Sequence, residues 1–195
     1  MIFKNSNRKI ILVRHGETEW NREGRHQGHL DSPLTEKGQK QVYILSEKIK
    51  ESGLAIDCIV SSDLGRARQT AEILKEELNI DCIKFTPAFR ERNYGLLQGM
   101  LLSEIQEKYP DLVGPKGESL RNAPEVPSGE ALKNFTKRVM LGMRSLRDLK
   151  FRHNLILVTH YGTASLILAS LGIKLVGRSF LEDPRLFLTI DLDKV

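Results

Sequence analysis

The chain has 195 residues, with 30 Lys and Arg against 25 Asp and Glu, which gives a formal net charge of +5. This length suits one domain with a full hydrophobic core, and the 40% apolar and 28% charged residues exclude a wholly disordered chain. The small positive surplus is far from the dense basic stripe of a nucleic-acid-binding protein, so we expect no nucleic-acid partner.

The sequence also predicts where the protein works. Its N-terminal residues contain no long apolar run followed by a small-residue cleavage site, and no stretch approaches the roughly 18 apolar residues of a membrane-spanning helix. We therefore expect a cytoplasmic protein that does not associate with membranes. Cys58 and Cys82 both lie in short strand-like runs. We expect reduced, buried thiols, with a disulfide between neighbouring strands as the alternative.

Short β-branched runs alternate with helical patterns along the chain. Strands are predicted at residues 10–13, 56–60, 82–85 and 155–159, with a last edge strand at 186–190. Apolar residues at helical spacing predict helices within residues 42–49, 67–78, 132–146 and 164–171. This alternation predicts a single α/β domain over residues 1–195, a three-layer α/β/α sandwich with a mostly parallel central sheet.

One region breaks the alternation. Residues 95–129 hold five of the 15 glycines and four of the seven prolines, so they cannot form one regular element. A short helix is predicted around residues 103–108, followed by a loop. Long loops in compact domains are usually lids or binding loops, and otherwise flexible linkers. We favour a lid because of where the loop leaves the sheet, and we call residues 95–129 the lid segment.

Polar residues follow the predicted strands at their carboxyl ends. Arg14 and His15 follow the first strand, Arg66 begins the helix after the second, and His160 follows the strand at 155–159. Glu91 comes a few residues after the third strand. Because ligands bind outside the carboxyl ends of strands in open parallel sheets, we expect these side chains at one edge. We expect Arg14 and Arg66 at neighbouring strand ends.

Two histidines, two arginines and a glutamate predict phosphoryl transfer through a phosphohistidine. Arginine forks and helix N-termini bind phosphate oxygens, and a neutral imidazole is a competent nucleophile. A nearby carboxylic acid can protonate a departing alkoxide and later take a proton from water. A metal site on His15 and His160 is the rival interpretation, and it is disfavoured because Arg14 and Arg66 would repel a divalent cation.

Other charged or imidazole side chains near these motifs need no functional role. We expect solvated charges at Glu17, Glu19, Arg68 and Arg92, and surface residues at His26, His29 and His153.

The motif Leu-Val-Arg-His-Gly-Glu-Thr-Glu-Trp-Asn at residues 12–21 resembles the opening motif of the histidine phosphatase superfamily, in its phosphoglycerate-mutase-like branch. Further resemblances follow in the family's order at Gln27-Gly28, Pro33-Leu34-Thr35, Ser61-Ser62, Arg66-Ala67, Glu91, Tyr94-Gly95 and residues 158–162. The ordered set covers nearly the whole chain and is far more specific than the Arg-His-Gly triplet alone. The resemblance implies a phosphoglycerate-mutase-like fold in which the lid segment is an insertion.

The resemblance also implies a role for each residue of the constellation. His15 would become phosphorylated, Arg14 and Arg66 would grip the phosphoryl oxygens, and His160 would stabilise transition-state charge as an imidazolium. Glu91 would protonate the leaving group and then activate water. Contacts with the phosphate or the rest of the substrate are implied for Asn21, Gln27, Gly28, Tyr94 and Tyr161. No metal and no dissociable cofactor is implied.

Phosphatases and mutases of this family share that machinery. The family's mutases have a lysine eleven residues after the catalytic glutamate, where this chain has Leu102, and an adjacent arginine pair, which this chain lacks. The lid segment carries Lys108, Lys116 and Arg121 against five acidic residues, which disfavours a doubly anionic substrate. Residues 127–131 resemble a stretch of the phosphatase members, departing at Ala131.

The sequence therefore predicts a metal-independent phosphoric monoester hydrolase that acts on a small phosphorylated metabolite. A cofactor-dependent phosphoglycerate mutase is the first alternative, and a non-catalytic phospho-ligand binding protein is the second. The identity of the substrate and the oligomeric state stay open at this stage.

Overall fold

Five strands form one sheet in the computed structural model of the protein, which describes residues 8–113, 119–174 and 181–192. They are β1 (Lys9–Arg14), β2 (Ile56–Ser62), β3 (Cys82–Thr86), β4 (Asn154–Thr159) and β5 (Leu188–Asp191). Their order across the sheet is β3-β2-β4-β1-β5, and all neighbours are parallel except β5, which runs antiparallel to β1. The predicted mostly parallel sheet and its edge strand are confirmed.

Helices cover both faces of this sheet. The described helices are α1 (Glu19–Glu23), α2 (Glu36–Glu51), α3 (Gly65–Glu77), α4 (Leu102–Lys108), α5 (Ser119–Asn122), α6 (Leu132–Arg147) and α7 (Tyr161–Ser170), with single 3₁₀ turns at Pro87–Phe89, Gly95–Leu97 and Pro110–Leu112. In the described ranges, no helix combines the length and the apolar character needed to cross a membrane.

Side chains alternate between the two faces along each strand, as the strand period requires. Ile11 and Val13 of β1 pack in one apolar cluster with α2 and α3. Ile10 and Leu12 pack on the opposite face with α6 and α7. The three-layer α/β/α sandwich is confirmed, and its core lies in two apolar clusters separated by the sheet.

The lid segment has a small apolar cluster of its own. It packs Leu97, Ile105 and Leu120 together with Tyr94, Val113, Ala123 and Val126. Backbone hydrogen bonds tie it to the loop after α1, from Gly99 N to the His26 carbonyl at 2.7 Å and from His26 N to the Met100 carbonyl at 3.0 Å. The predicted short helix in this segment is α4. Pro115 and Lys116 lie outside the described residues.

The strand order corrects one expectation about the site. Arg14 ends β1, and Arg66 lies in the first turn of α3 after β2, but β4 lies between these two strands. Their strand ends are therefore not neighbours. Sequence alternation predicts that a sheet forms but does not specify the order of its strands. The consequence is that His160, directly after β4, occupies the middle of the edge.

The expectation of two reduced cysteines is wrong in this structure. Cys58 of β2 and Cys82 of β3 lie directly opposite each other in the parallel register, with their Cα atoms 4.6 Å apart, and a disulfide joins them. The spacing lies within the range that a disulfide can bridge. The alternative of a disulfide between neighbouring strands describes this pair, because the register places two side chains of the same face side by side.

Candidate active site

His15 lies directly after β1 and is almost fully buried, with 4% of its surface exposed. Its backbone N–H donates to the carbonyl of Thr159 at the end of β4, 3.1 Å away. Its Nδ1 lies 2.7 Å from the carbonyl oxygen of Gly16. Because a carbonyl oxygen can only accept, Nδ1 carries the proton, and the lone pair of Nε2 is left for chemistry.

The surroundings of His15 keep its imidazole neutral. Burial lowers the pKa of His15 well below its ordinary value, and the positive charges of Arg66 and Arg14 lower it further. A neutral imidazole at physiological pH has the lone pair that a nucleophile requires. The free lone pair on Nε2 is what a nucleophilic role of His15 would require.

Two arginines hold guanidinium groups near His15. Arg66 is 1% exposed, and its terminal nitrogens donate to the carbonyls of Leu30 (3.0 Å) and Gly28 (2.8 Å) and to the carboxylate of Asp31 (3.0 Å). Arg14 donates from one terminal nitrogen to the carbonyl of Leu181. In both cases the terminal nitrogens anchor the guanidinium, which fixes the direction of its remaining N–H groups.

His160 lies beside His15 at the N-terminus of α7, with the two ring centroids 5.2 Å apart. Its Nε2 is 2.8 Å from the hydroxyl oxygen of Ser62. Burial lowers the pKa of His160 well below its ordinary value, and the positive charge of Arg66 lowers it further. The implied imidazolium is therefore not the form that the free protein favours.

Three buried side-chain nitrogens at this site have no hydrogen-bond partner. They are the Nε atoms of Arg14 and Arg66 and the Nδ1 atom of His160, and in the part of the chain that the structure describes no other buried side-chain N or O atom lacks a partner. Buried polar groups without partners are costly and rare in native proteins. Their concentration around His15 indicates a site built to receive an oxygen-rich anion.

Glu91 lies across the site on the loop after β3, with 9% of its surface exposed. One carboxylate oxygen accepts from the N–H of Gly162 at 2.8 Å, and the other accepts from the N–H of Arg92 at 2.9 Å. A Cβ at position 162 would collide with this carboxylate, so any larger residue there would displace the Glu91 side chain. Glu91 is thereby fixed against the N-terminus of α7, at the second residue after His160.

These residues surround a cavity of about 200 Å³. Its walls include most of the predicted site residues, namely Arg14, His15, Asn21, Gln27, Gly28, Arg66, Glu91, Tyr94 and Tyr161. His160 is not among the lining residues, and its ring lies beside that of His15. Asn21 and Gln27 also have local roles, because the side-chain oxygen of Asn21 caps α1 and the amide of Gln27 donates to Thr18.

Sequence reasoning missed several cavity residues. Gly24, Arg25, His26, Arg121 and Gly162 also line the cavity. Arg25 and His26 directly precede the Gln27-Gly28 motif, and that adjacency was an available signal. Arg121 stands in the lid segment far from any motif, so nothing in the sequence points to it. Its guanidinium stacks 4.0 Å above the Tyr161 ring.

Three expectations of surface positions are wrong. Arg92 is fully buried, and its guanidinium donates to the carbonyls of Glu130, Arg121 and Pro124, so it ties the loop of Glu91 to the lid segment. His26 packs edge-on against Tyr94, and burial lowers the pKa of His26. His29 is half-buried, with its Nε2 2.9 Å from the carbonyl oxygen of Glu91. Each of these side chains shapes the site without belonging to a recognised motif.

Residues 10–179 match the sequence profile of the histidine phosphatase superfamily (branch 1). The chain is 38% identical over 156 residues to a probable phosphoglycerate mutase GpmB of Escherichia coli, covering 78% of this chain and 69% of the relative.

Two solved structures are also similar. YhfR of Bacillus stearothermophilus superposes with a TM-score of 0.75 at 29% identity, covering 84% of this chain and 79% of that one. The mycobacterial glucosyl-3-phosphoglycerate phosphatase Rv2419c superposes with a TM-score of 0.73 at 27% identity, covering 92% and 87%.

Proposed function

Because the chain belongs to branch 1 of the histidine phosphatase superfamily, we propose that it is a phosphatase that hydrolyses a small-molecule phosphomonoester through a phosphohistidine on His15. The observation that carries this proposal is the convergence of three buried, unpartnered nitrogens beside a neutral histidine. Arg14, Arg66 and His160 are the residues that supply them. These groups suit the non-bridging oxygens of a phosphoryl group, whose charge they would neutralise in the transition state.

The first half-reaction follows from the protonation of His15. Its Nε2 lone pair attacks phosphorus, the P–N bond forms, and the P–O bond to the alcohol breaks. The departing alkoxide takes a proton from the carboxyl group of Glu91, which leaves Glu91 as a carboxylate. The phosphoryl group is then carried by His15, and the alcohol leaves.

The second half-reaction reverses these proton movements. The Glu91 carboxylate takes a proton from a water molecule, and the resulting hydroxide attacks phosphorus as the P–N bond breaks. Inorganic phosphate forms, His15 recovers its lone pair, and Glu91 ends protonated for the next cycle. Every charge movement uses groups of this chain, so we propose no metal and no cofactor.

The cavity limits the class of substrate. Its volume of about 200 Å³ is below the roughly 300–1,000 Å³ typical of sites for drug-sized ligands. Arg121 of the lid segment forms part of its wall, and Arg92 donates to the Arg121 carbonyl. We therefore propose a compact phosphorylated metabolite as the partner, rather than a phosphoprotein, a nucleic acid or a membrane.

Phosphate release from a panel of phosphorylated metabolites, with and without a metal chelator, tests this function. We expect one compound class to give the highest kcat/KM, full activity with the chelator, and no activity in His15→Ala. Arg144→Met, on the exposed side of α6, is the matched control and should keep full activity. Substantial phosphate release by His15→Ala would contradict the proposal.

A phosphoglycerate mutase is the second candidate, and one observation favours it. Arg121 of the lid segment and Arg25 each place a cation at the wall of the cavity. The net acidic charge of the lid segment is therefore a poor guide to the charge of the site. The relative named probable phosphoglycerate mutase GpmB supports the same candidate. Mutase activity that depends on added bisphosphoglycerate and exceeds phosphate release would favour this candidate over the phosphatase.

A further inference from the structure

His160 is held by a residue that the site so far leaves without a role. Ser62 ends β2, beside β4, and its side chain is fully buried. Its hydroxyl oxygen lies 2.8 Å from Nε2 of His160 and accepts from the backbone N–H of Leu64 at 3.3 Å. These are the contacts found for this hydroxyl in the described part of the chain.

The donors and acceptors around the Ser62 hydroxyl determine the direction of its hydrogen bond with His160. A hydroxyl has one proton to donate, and among the described residues the acceptor within reach of that proton is Nε2 of His160. If Nε2 carried a proton instead, it would donate to the hydroxyl oxygen, and the Ser62 proton would be buried without an acceptor among the described residues. That arrangement costs about 1–3 kcal/mol. Nε2 of His160 is therefore the acceptor.

An accepting Nε2 places the proton of the neutral ring on Nδ1. Burial and the positive charge of Arg66 lower the pKa of His160, so the neutral ring is the resting form. A neutral imidazole has one N–H group, and its tautomer determines which nitrogen can donate. Nδ1 is the nitrogen of His160 that has no partner in the described structure.

We propose that Ser62 is a positioning residue that fixes the tautomer of His160, so that the neutral ring donates a hydrogen bond from Nδ1 to the phosphoryl group. The donation step rests on the proposed function, whereas the tautomer does not. With Ser62 in place, His160 Nδ1–H joins the Nε–H groups of Arg14 and Arg66 as a third donor. Three donors match in number the three non-bridging oxygens of the transferred group.

The tautomer can be measured in the free protein by long-range ¹H–¹⁵N correlation of ¹⁵N-labelled histidine. The chain has five histidines, and the signals of His160 are assigned by their loss in His160→Gln. We expect a protonated Nδ1 and an unprotonated Nε2 near neutral pH. A proton on Nε2, or a doubly protonated ring, would overturn the proposal, whatever the activity of the protein.

Substitution of Ser62 tests the consequence. We expect Ser62→Ala to mix the two tautomers of His160 and to lower kcat on the order of 10- to 100-fold, the range seen when the orienting partner of a functional histidine is removed. KM should change less than about threefold, because the arginine anchors remain. Ser62→Thr keeps the hydroxyl and should keep both the Nδ1 proton and most of kcat.

Ser61→Ala is the matched control, because Ser61 is equally buried and its hydroxyl donates to the Ser62 carbonyl at 2.8 Å. We expect it to leave the tautomer intact and kcat within about threefold. Equal losses of kcat in Ser61→Ala and Ser62→Ala, or an unchanged tautomer in Ser62→Ala, would overturn the proposal. If Ser62→Ala does not fold, the proposal is still tested by the tautomer of His160 in the unaltered protein and by the kcat of Ser62→Thr. A protein with the Nδ1 proton but without activity on any phosphomonoester would contradict the proposed function alone.

Discussion

The carboxyl edge of the sheet and the lid segment hold their functional groups in different ways. At the sheet edge, Arg66 is 1% exposed and anchored through both terminal nitrogens, and His15 is anchored through Nδ1. In the lid segment, Arg121 is exposed, and the contact found for its guanidinium in the described ranges is the stack on Tyr161. Donors that are fixed in place before the reaction stabilise the transition state, so they should affect the rate of the chemical step. An exposed cation at the cavity wall should instead affect which substrates bind.

The two regions also differ in the source of their stability. The strands that form the sheet edge pack in the two large apolar clusters of the sandwich. The lid segment packs mainly around its own small apolar cluster, which includes Ile105 and Leu120. Substitutions at the sheet edge should therefore change kcat, and substitutions in the lid segment should change KM and the range of substrates.

The largest effect is expected at Glu91. Glu91→Gln removes the acid that protonates the leaving group, so kcat/KM, which reports the steps through alcohol release, should fall about 10²- to 10⁴-fold for an alkyl phosphate. The loss should be much smaller for 4-nitrophenyl phosphate, whose leaving group needs no proton. Phosphate-release kinetics with both substrates measure the difference, and Glu125→Gln in the lid segment is the control. Equal losses of kcat/KM with both substrates would show that Glu91 does not act as the acid.

A second effect at the sheet edge is expected from Gly162→Ala. The added Cβ would push against the Glu91 carboxylate, which accepts from the N–H of residue 162. A displacement of about 1 Å can cost on the order of 100-fold in rate, so we expect such a loss in kcat with a small change in KM. Ser165→Ala, further along α7, serves as the control. An unchanged kcat would contradict the placement of Glu91.

A smaller effect of a different kind is expected at Arg121. Arg121→Met should raise KM for 3-phosphoglycerate roughly tenfold, the loss of one charge-assisted hydrogen bond, and leave kcat nearly unchanged. Phenyl phosphate, which has no second acidic group, should be unaffected. Arg144→Met is the matched control. A fall in kcat for phenyl phosphate would assign Arg121 to the phosphate end of the site and remove the distinction between the two regions.

The smallest effect concerns stability and pH. The pKa values of His15 and His160 are lowered in the folded protein, so the unfolded chain binds protons first as the pH falls through about 6.5. The free energy of unfolding should therefore decrease below that pH, by up to about 1.4 kcal/mol per pH unit for each histidine. Urea denaturation at pH 7 and pH 5 should give a smaller decrease in His15→Gln than in the unaltered protein or Arg144→Met. An equal decrease in all three would contradict the pKa directions.

The same division separates what the sequence could predict from what it could not. Strand periodicity and polar residues at strand ends located His15, His160, Arg14 and Arg66, because parallel strands bring their carboxyl ends to one edge. Strand order is set by the packing of distant elements, so β4 between β1 and β2 was not foreseen. The disulfide was missed for a related reason, since it depends on the register of β2 and β3.

The lid segment was the least predictable region. Its composition predicted irregular structure, and one short helix was located correctly. Its net acidic charge predicted acidic surroundings for the cavity, whereas the fold brings the cation of Arg121 to the cavity wall. Arg92 was taken for a solvated charge and is fully buried, since the carbonyls that it binds come from residues about 30 to 40 positions away. Contacts of that range leave no local pattern.

Trapping of the phosphoenzyme tests the central claim most directly. The protein is mixed with its best substrate, quenched in alkali within milliseconds, digested and examined by mass spectrometry, because phosphohistidine is lost in acid. The account predicts one phosphoryl group on His15, a label that accumulates at the rate of alcohol release, and no label in His15→Ala. A label on any other residue, or turnover without a labelled intermediate under conditions that preserve phosphohistidine, would contradict it.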